Sequence, residues 1–195
     1  MKSLNELLEE ANQAHGHLCA GQVLGVRMAL CGLQELGIED PRGRDRKRLV
    51  TYVEIDRCAT DAIGVVTGCR LGKRALKFRD WGKMAATFVD LETGRAIRVA
   101  ARESSKDLAR QLHPELDNKN AQQMLAYREL SNDDLFTMQW VTVEVGPQEM
   151  PGFKGERIAC DQCGEGINYH REVLREGRTL CRACAGESYY TPISE

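Results

Sequence analysis

Eight cysteines and four histidines are the residues best equipped for chemistry in this sequence. Four of the cysteines form two C-x-x-C pairs, Cys160/Cys163 and Cys181/Cys184, with 17 residues between them. That spacing fits a structural zinc site: each pair makes a knuckle offering two thiolates at tetrahedral angles. Four thiolates leave no open position, so this zinc would be structural and not catalytic. Gly164 suits the tight knuckle turn. Tyr169 to Leu174, with Gly177 and Leu180, suits a hairpin between the pairs, and the second pair would open a short helix, as in a treble-clef or ribbon-like finger. His170 is read as a surface residue of that hairpin, since four cysteines already suffice. About 40 residues cannot build an adequate core, so the metal must supply much of the folding free energy.

A second cluster lies near the N-terminus, in His15-Gly16-His17-Leu18-Cys19-Ala20-Gly21. Two imidazoles and a thiol within five residues cannot complete a metal site alone. A borderline or soft metal would take His17, Cys19 and a third donor from elsewhere, leaving a fourth place for water, substrate or another side chain. Cys58 is the best-placed partner. It follows a strand pattern and opens a helix pattern, and a helix N-terminus favours the thiolate. Asp61, one turn on, is a ligand or an acceptor for an imidazole N–H. Cys69 is a weaker candidate, divided between core and functional thiol. His15 is read as a loop group or helix cap, and Cys31, on an apolar helical face, as core. On residue types alone, an incidental arrangement outweighs a metal site here.

The elements that must position these groups follow from patterning. Ser3-Leu4-Asn5-Glu6 forms a capping box, and Leu4, Leu7, Leu8 and Ala11 mark one face of a helix ending near Ala14. A second helix runs from about Gly21 to Leu36, stopped by Gly37. Residues 49–56 read as a strand, residues 58–66 as a short helix, and residues 76–78 as a short strand. Residues 84–91 and 96–101 flank a turn at Gly94. Helices follow at 106–112 and about 117–130, then a strand at 136–145. Gly146-Pro147 and Pro151-Gly152 read as a linker, dividing the chain into domains 1–150 and 151–195.

Composition narrows the function. The chain has 195 residues, 42% hydrophobic and 29% charged, with net charge −2, so no global field favours nucleic acid or an acidic membrane. The finger segment is balanced in charge, which argues against phosphate binding. No apolar run approaches the roughly 20 residues needed to span a bilayer, and the N-terminal residues lack the apolar core of a signal peptide. The expectation is a cytoplasmic protein, and thiols there are better read as metal ligands than as disulfides.

Four segments stand in a telling order: His15 to Gly21, Cys58-Ala59-Thr60-Asp61-Ala62-Ile63, Thr67-Gly68-Cys69-Arg70-Leu71-Gly72-Lys73 and Gly82-Lys83-Met84-Ala85. Together they resemble the FmdE family, that of the E subunit of formylmethanofuran dehydrogenase, over about residues 10–145, and the finger resembles that of two-domain members. The resemblance implies an α+β domain, with a mixed sheet flanked by helices, usually as a homodimer, and a metal-binding cleft. It turns the balance toward His17, Cys19 and Cys58 as ligands of zinc or another transition metal. It implies an accessory protein of a molybdenum or tungsten dehydrogenase in anaerobic one-carbon metabolism, with oxidoreductase subunits as partners. Two alternatives stay open: a metal-dependent enzyme in its own right, and a metal- or redox-responsive regulator acting through the finger. The sequence departs from the family at Ala20, where Pro is usual, and at Arg70 and Arg74-Ala75. Arg70, Lys73, Arg74, Lys77 and Lys83 make that region basic; a solvated face is preferred there to an anion site.

Overall fold

The protein was described from a computed structural model covering residues 1–193; Ser194 and Glu195, the end of the expected finger domain, lie outside the described residues. The chain forms two compact units, Met1–Glu144 and Val145–Glu195.

In the first unit, α1 (Leu4–His15) starts at the expected capping box. The Ser3 Oγ accepts from the Glu6 N–H, and the Glu6 carboxylate accepts from the Ser3 N–H at 2.8 Å. The helix runs one residue further than the sequence suggests, so His15 belongs to its last turn. Gly16, at φ +91°, ends it. Then come α2 (Ala20–Leu36), β1 (Leu49–Val53), α3 (Cys58–Thr67), β2 (Leu76–Phe78), β3 (Ala85–Asp90) and β4 (Ala96–Ala101). They are followed by α4 (Ser105–Leu112), α5 (Lys119–Glu129), the one-turn α6 (Asn132–Leu135) and β5 (Phe136–Val141). The sequence pattern gives no sign of α6, whose start is fixed by a local cap: the Ser131 hydroxyl accepts from the Asp134 N–H at 3.1 Å.

Five strands form one mixed sheet in the order β2-β1-β3-β4-β5. β1 and β2 pair in parallel across the α3 crossover; the other pairs are antiparallel. This is the α+β architecture, a mixed sheet with helices packed on it. Its core includes Met28 and Leu33 of α2, Ile63 of α3, Leu49, Phe88 and Ile97 of the sheet, and Phe136.

The contact between α2 and α3 is unusually close. A Cβ at Gly25 would lie 2.5 Å from the Ala59 carbonyl oxygen and 2.8 Å from its Cα. Only glycine permits that approach. One turn earlier, a Cβ at Gly21 would meet the Cys58 Cβ at 3.4 Å and the Cys19 Sγ at 3.7 Å. The glycines that weaken α2 as an isolated helix, by about 1 kcal/mol each, thus bring its N-terminus against that of α3.

The second unit consists of two hairpins and a helical turn. β6 (Arg157–Ala159) pairs with β7 (Gly166–Asn168), and β8 (Val173–Arg175) with β9 (Arg178–Leu180); a short turn, Ala183–Glu187, follows. The expected hairpin between the cysteine pairs is β8–β9, but it begins later than Tyr169. Tyr169 and His170 both have positive φ and form a turn. Among the described residues no helix is long and apolar enough to cross a membrane.

Candidate metal centres

The N-terminal cluster is assembled from three helix ends. α1 delivers His15 from its last turn. Cys19 is the N-cap of α2, with extended backbone at φ −138°, ψ 167°, and its carbonyl accepts from the Gln22 and Val23 N–H groups. The α2 N-terminus is further fixed by Asn120 of α5, whose Oδ1 accepts from the Ala20 N–H at 3.0 Å. The ligand atoms of His15, His17 and Cys19 lie within 4.8 Å of one another, and the two imidazole rings are 4.8 Å apart, tilted by 44°.

Cys58, first residue of α3, lies beside Cys19. Burial pushes its thiol up, and hydrogen bonding to the Cys19 thiol adds to this. The α3 N-terminus does not favour the thiolate enough to offset either effect, contrary to the sequence expectation. Asp61, one turn along α3, takes the role of imidazole acceptor: its Oδ2 is 2.9 Å from His15 Nδ1. The imidazole it meets is His15, not His17.

Cys69 is set apart from this group. Its thiol is buried, accepts from the Thr51 hydroxyl at 3.5 Å and faces the Leu49 carbonyl at 3.7 Å. Desolvation keeps it protonated. Gly68, at φ +70°, caps α3 and precedes this inward turn toward β1. Cys31 is likewise core: its sulfur contacts Met138 Sδ at 3.1 Å, and burial pushes its thiol up to about 11.

In the second unit the sulfur atoms of Cys160, Cys163, Cys181 and Cys184 form one cluster, all within 4.8 Å. Gly164 at φ +75° closes the first knuckle. The backbone donates into the cluster: the Cys181 N–H reaches Cys160 Sγ at 3.2 Å, and the Cys184 N–H reaches Cys181 Sγ at 3.4 Å. Backbone N–H groups of Cys163 and Cys181 pull the Cys160 thiol down to about 6, while the neighbouring Cys181 thiol pushes Cys184 up to about 12. Asp161 ties the first knuckle to β9, accepting from the Thr179 N–H at 2.6 Å. His170 stands outside the cluster, near Phe153 and Glu172.

Fold and sites together define a two-unit metal-binding protein: an α+β domain with a His/Cys cluster at converging helix ends, and a four-cysteine zinc finger. Residues 14–138 match the family described as FmdE, molybdenum formylmethanofuran dehydrogenase operon, and residues 154–190 match the prokaryotic dksA/traR C4-type zinc finger. The chain belongs to the FmdE family. It is 31% identical, over 97% of its length, to a protein of Archaeoglobus fulgidus named as a probable S-adenosyl-L-methionine-binding protein, and spans 55% of that relative. Its fold is similar to the crystal structure of an FmdE-like protein of tungsten formylmethanofuran dehydrogenase from Syntrophus aciditrophicus. The TM-score is 0.65 at 23% identity, covering 97% of this chain and 96% of the other.

Proposed function

We propose that this chain is a cytoplasmic, homodimeric accessory protein of a molybdenum- or tungsten-dependent formylmethanofuran-type dehydrogenase system, and that it holds a transition metal at His15, His17, Cys19 and Cys58. The observation that carries the metal reading is the convergence of two imidazoles and two thiols at three helix ends, with Asp61 orienting one ring. Such a donor set fits zinc or another borderline ion and does not suit magnesium or calcium, which need oxygen ligands. When bound, the metal would supply Lewis acidity. The chain's own part is to hold the donors: α1 and Asp61 fix His15, while the glycine contact between α2 and α3 sets the spacing of Cys19 and Cys58. Because the protein offers four donors, it can fill a tetrahedral shell by itself. That favours a metal-holding role over independent catalysis. The dehydrogenase association rests on family membership.

Metal analysis of anaerobically purified protein tests the site reading. Wild type should carry one metal per cluster, Cys19→Ser should lose the N-terminal metal alone, and Cys160→Ser the finger metal alone. Loss of neither would overturn both assignments. Anaerobic pull-down that recovers no oxidoreductase subunit would count against the partnership.

A second reading comes from the Archaeoglobus relative: the first unit would bind S-adenosyl-L-methionine. Calorimetric titration with that compound decides it, since the metal-holding reading expects no heat of binding.

A further inference from the structure

The basic region that the sequence presents as a solvated face is more than that in three dimensions. Lys77 is buried on β2. The segments on either side of β2 instead expose three large apolar side chains: Leu71 at 65%, Phe78 at 39% and Trp81 at 63%. Among them stand the exposed cations Arg70, Lys73, Arg79 and Lys83. The one acid in this stretch, Asp80, accepts from the Gly82 N–H. β2 is the edge strand of the sheet, paired with β1 on one side.

This surface is held rigidly. The N–H groups of Trp81 and Lys83 both donate to the Glu54 carbonyl, at 3.1 and 3.2 Å, and the Arg79 N–H donates to the Val53 carbonyl at 3.0 Å. Glu54 is itself buried and clamped by Arg98 through two bonds of 2.7 Å. Lys83 Nζ lies 5.7 Å from the Trp81 ring, so cation and aromatic face the solvent side by side. Arg74, at φ +59°, closes the one-turn helix 71–73 at the other end of β2.

Charged residues on an edge strand often serve only to block pairing with other chains. That role would not place Leu71, Phe78 and Trp81 in solvent on the same edge. Exposed, immobilised aromatic anchors ringed by charge are features of a recognition surface. A second copy docking through the same edge would set cation against cation. We infer that the β2 edge, from Arg70 to Lys83, is a docking surface for an acidic polypeptide segment of another protein, one that alternates carboxylates with apolar side chains. The carboxylates pair with Arg70, Lys73 and Lys83, and the apolar groups cover Leu71, Phe78 and Trp81. The inference stands apart from the metal clusters, so its failure would leave the metal reading intact.

Fluorescence anisotropy on the full chain tests it, with a labelled peptide of alternating Glu and Leu as probe. A peptide of alternating Lys and Leu and an oligouridylate serve as comparisons. The Glu-Leu peptide should bind, more weakly as salt rises. Trp81→Ala, and the double variant Lys73→Glu/Lys83→Glu, should each lower its affinity at least about tenfold with metal content unchanged. Equal binding of both peptides would overturn the inference, as would variants that bind like wild type. Tighter binding of the oligouridylate at this edge would overturn it in favour of nucleic acid. Self-association that the double variant abolishes, seen by sedimentation, would overturn it in favour of a second copy.

Discussion

Asp61 draws the Nδ1 proton of His15, which leaves Nε2 as that ring's lone-pair donor. Outer carboxylates of this kind fix the tautomer and raise the basicity of a ligand. Asp61→Ala should therefore lower metal affinity at the N-terminal cluster about 10- to 100-fold, measured by competition with a chromophoric chelator. Cys69→Ala should leave metal content unchanged. The Cys58 thiol lies above the ordinary thiol range because it is buried and hydrogen-bonded to Cys19. It is protonated at neutral pH, and a metal must displace that proton. Apparent affinity should rise with pH toward that raised value and fall as the medium becomes acidic; the same competition repeated across pH checks this. At this scale the sequence is partly legible. Cys19, Cys58 and Asp61 stand out by type and by their place at helix starts. His15 does not, because its partner is 46 residues away, and one extra residue of α1 turns it from a loop group into part of the cluster. A polar residue at the end of an amphipathic helix, followed by glycine, is the signal that was there to read.

Elements carry the spacing between these residues. A methyl group at Gly25 has no room against the Ala59 backbone, and backbone cannot yield as a flexible side chain does. Gly25→Ala should cost about 1–3 kcal/mol of stability through overpacking, read in urea unfolding, and should weaken metal binding by parting Cys19 from Cys58. Gly37→Ala, at φ +68° with open space around it, should cost stability through backbone strain and spare the cluster. Helices and sheet strands are legible from periodicity because each buries one face. The β6–β7 hairpin is not, since its strands are three residues long and their register is imposed by the cysteine knuckle between them. The turn at Tyr169 and His170 is hidden for a related reason: neither residue type announces a positive φ.

Across the whole molecule, the two units draw on different sources of stability. The first has a broad apolar core; the second has a cluster of only Cys160, Ile167 and Leu180 with a few partly buried neighbours. Cys160→Ser, or strong chelation, should unfold the second unit and leave the first intact, visible as loss of hydrogen-exchange protection confined to residues after Glu144. Acid should act on the first unit. Burial alone would raise the Asp90 carboxyl, but the Arg48 guanidinium, the Thr93 hydroxyl and the Glu92 N–H hold it below the ordinary carboxylate value. Backbone N–H groups of Asp40 and Glu39 do the same for Asp45, with help from Arg44. Both groups stabilise the fold above about pH 4, and this contribution is lost as pH falls from there through their lowered values; a series of thermal melts across acid pH reads it. The division into two units is legible because the paired cysteines and the Gly/Pro-rich segment announce it.

The closeness of His15, His17 and Cys19 along the chain also bears on time. Gathering three donors from five residues closes almost no loop. Bringing in Cys58 closes a loop of about 40 residues, which adds about 2 kcal/mol of chain entropy. An ion can therefore settle on the nascent N-terminal segment before β1 and α3 exist, and Cys58 joins only when α2 and α3 dock. Metal supply during synthesis, rather than after folding, is then the moment at which the identity of the bound ion is decided.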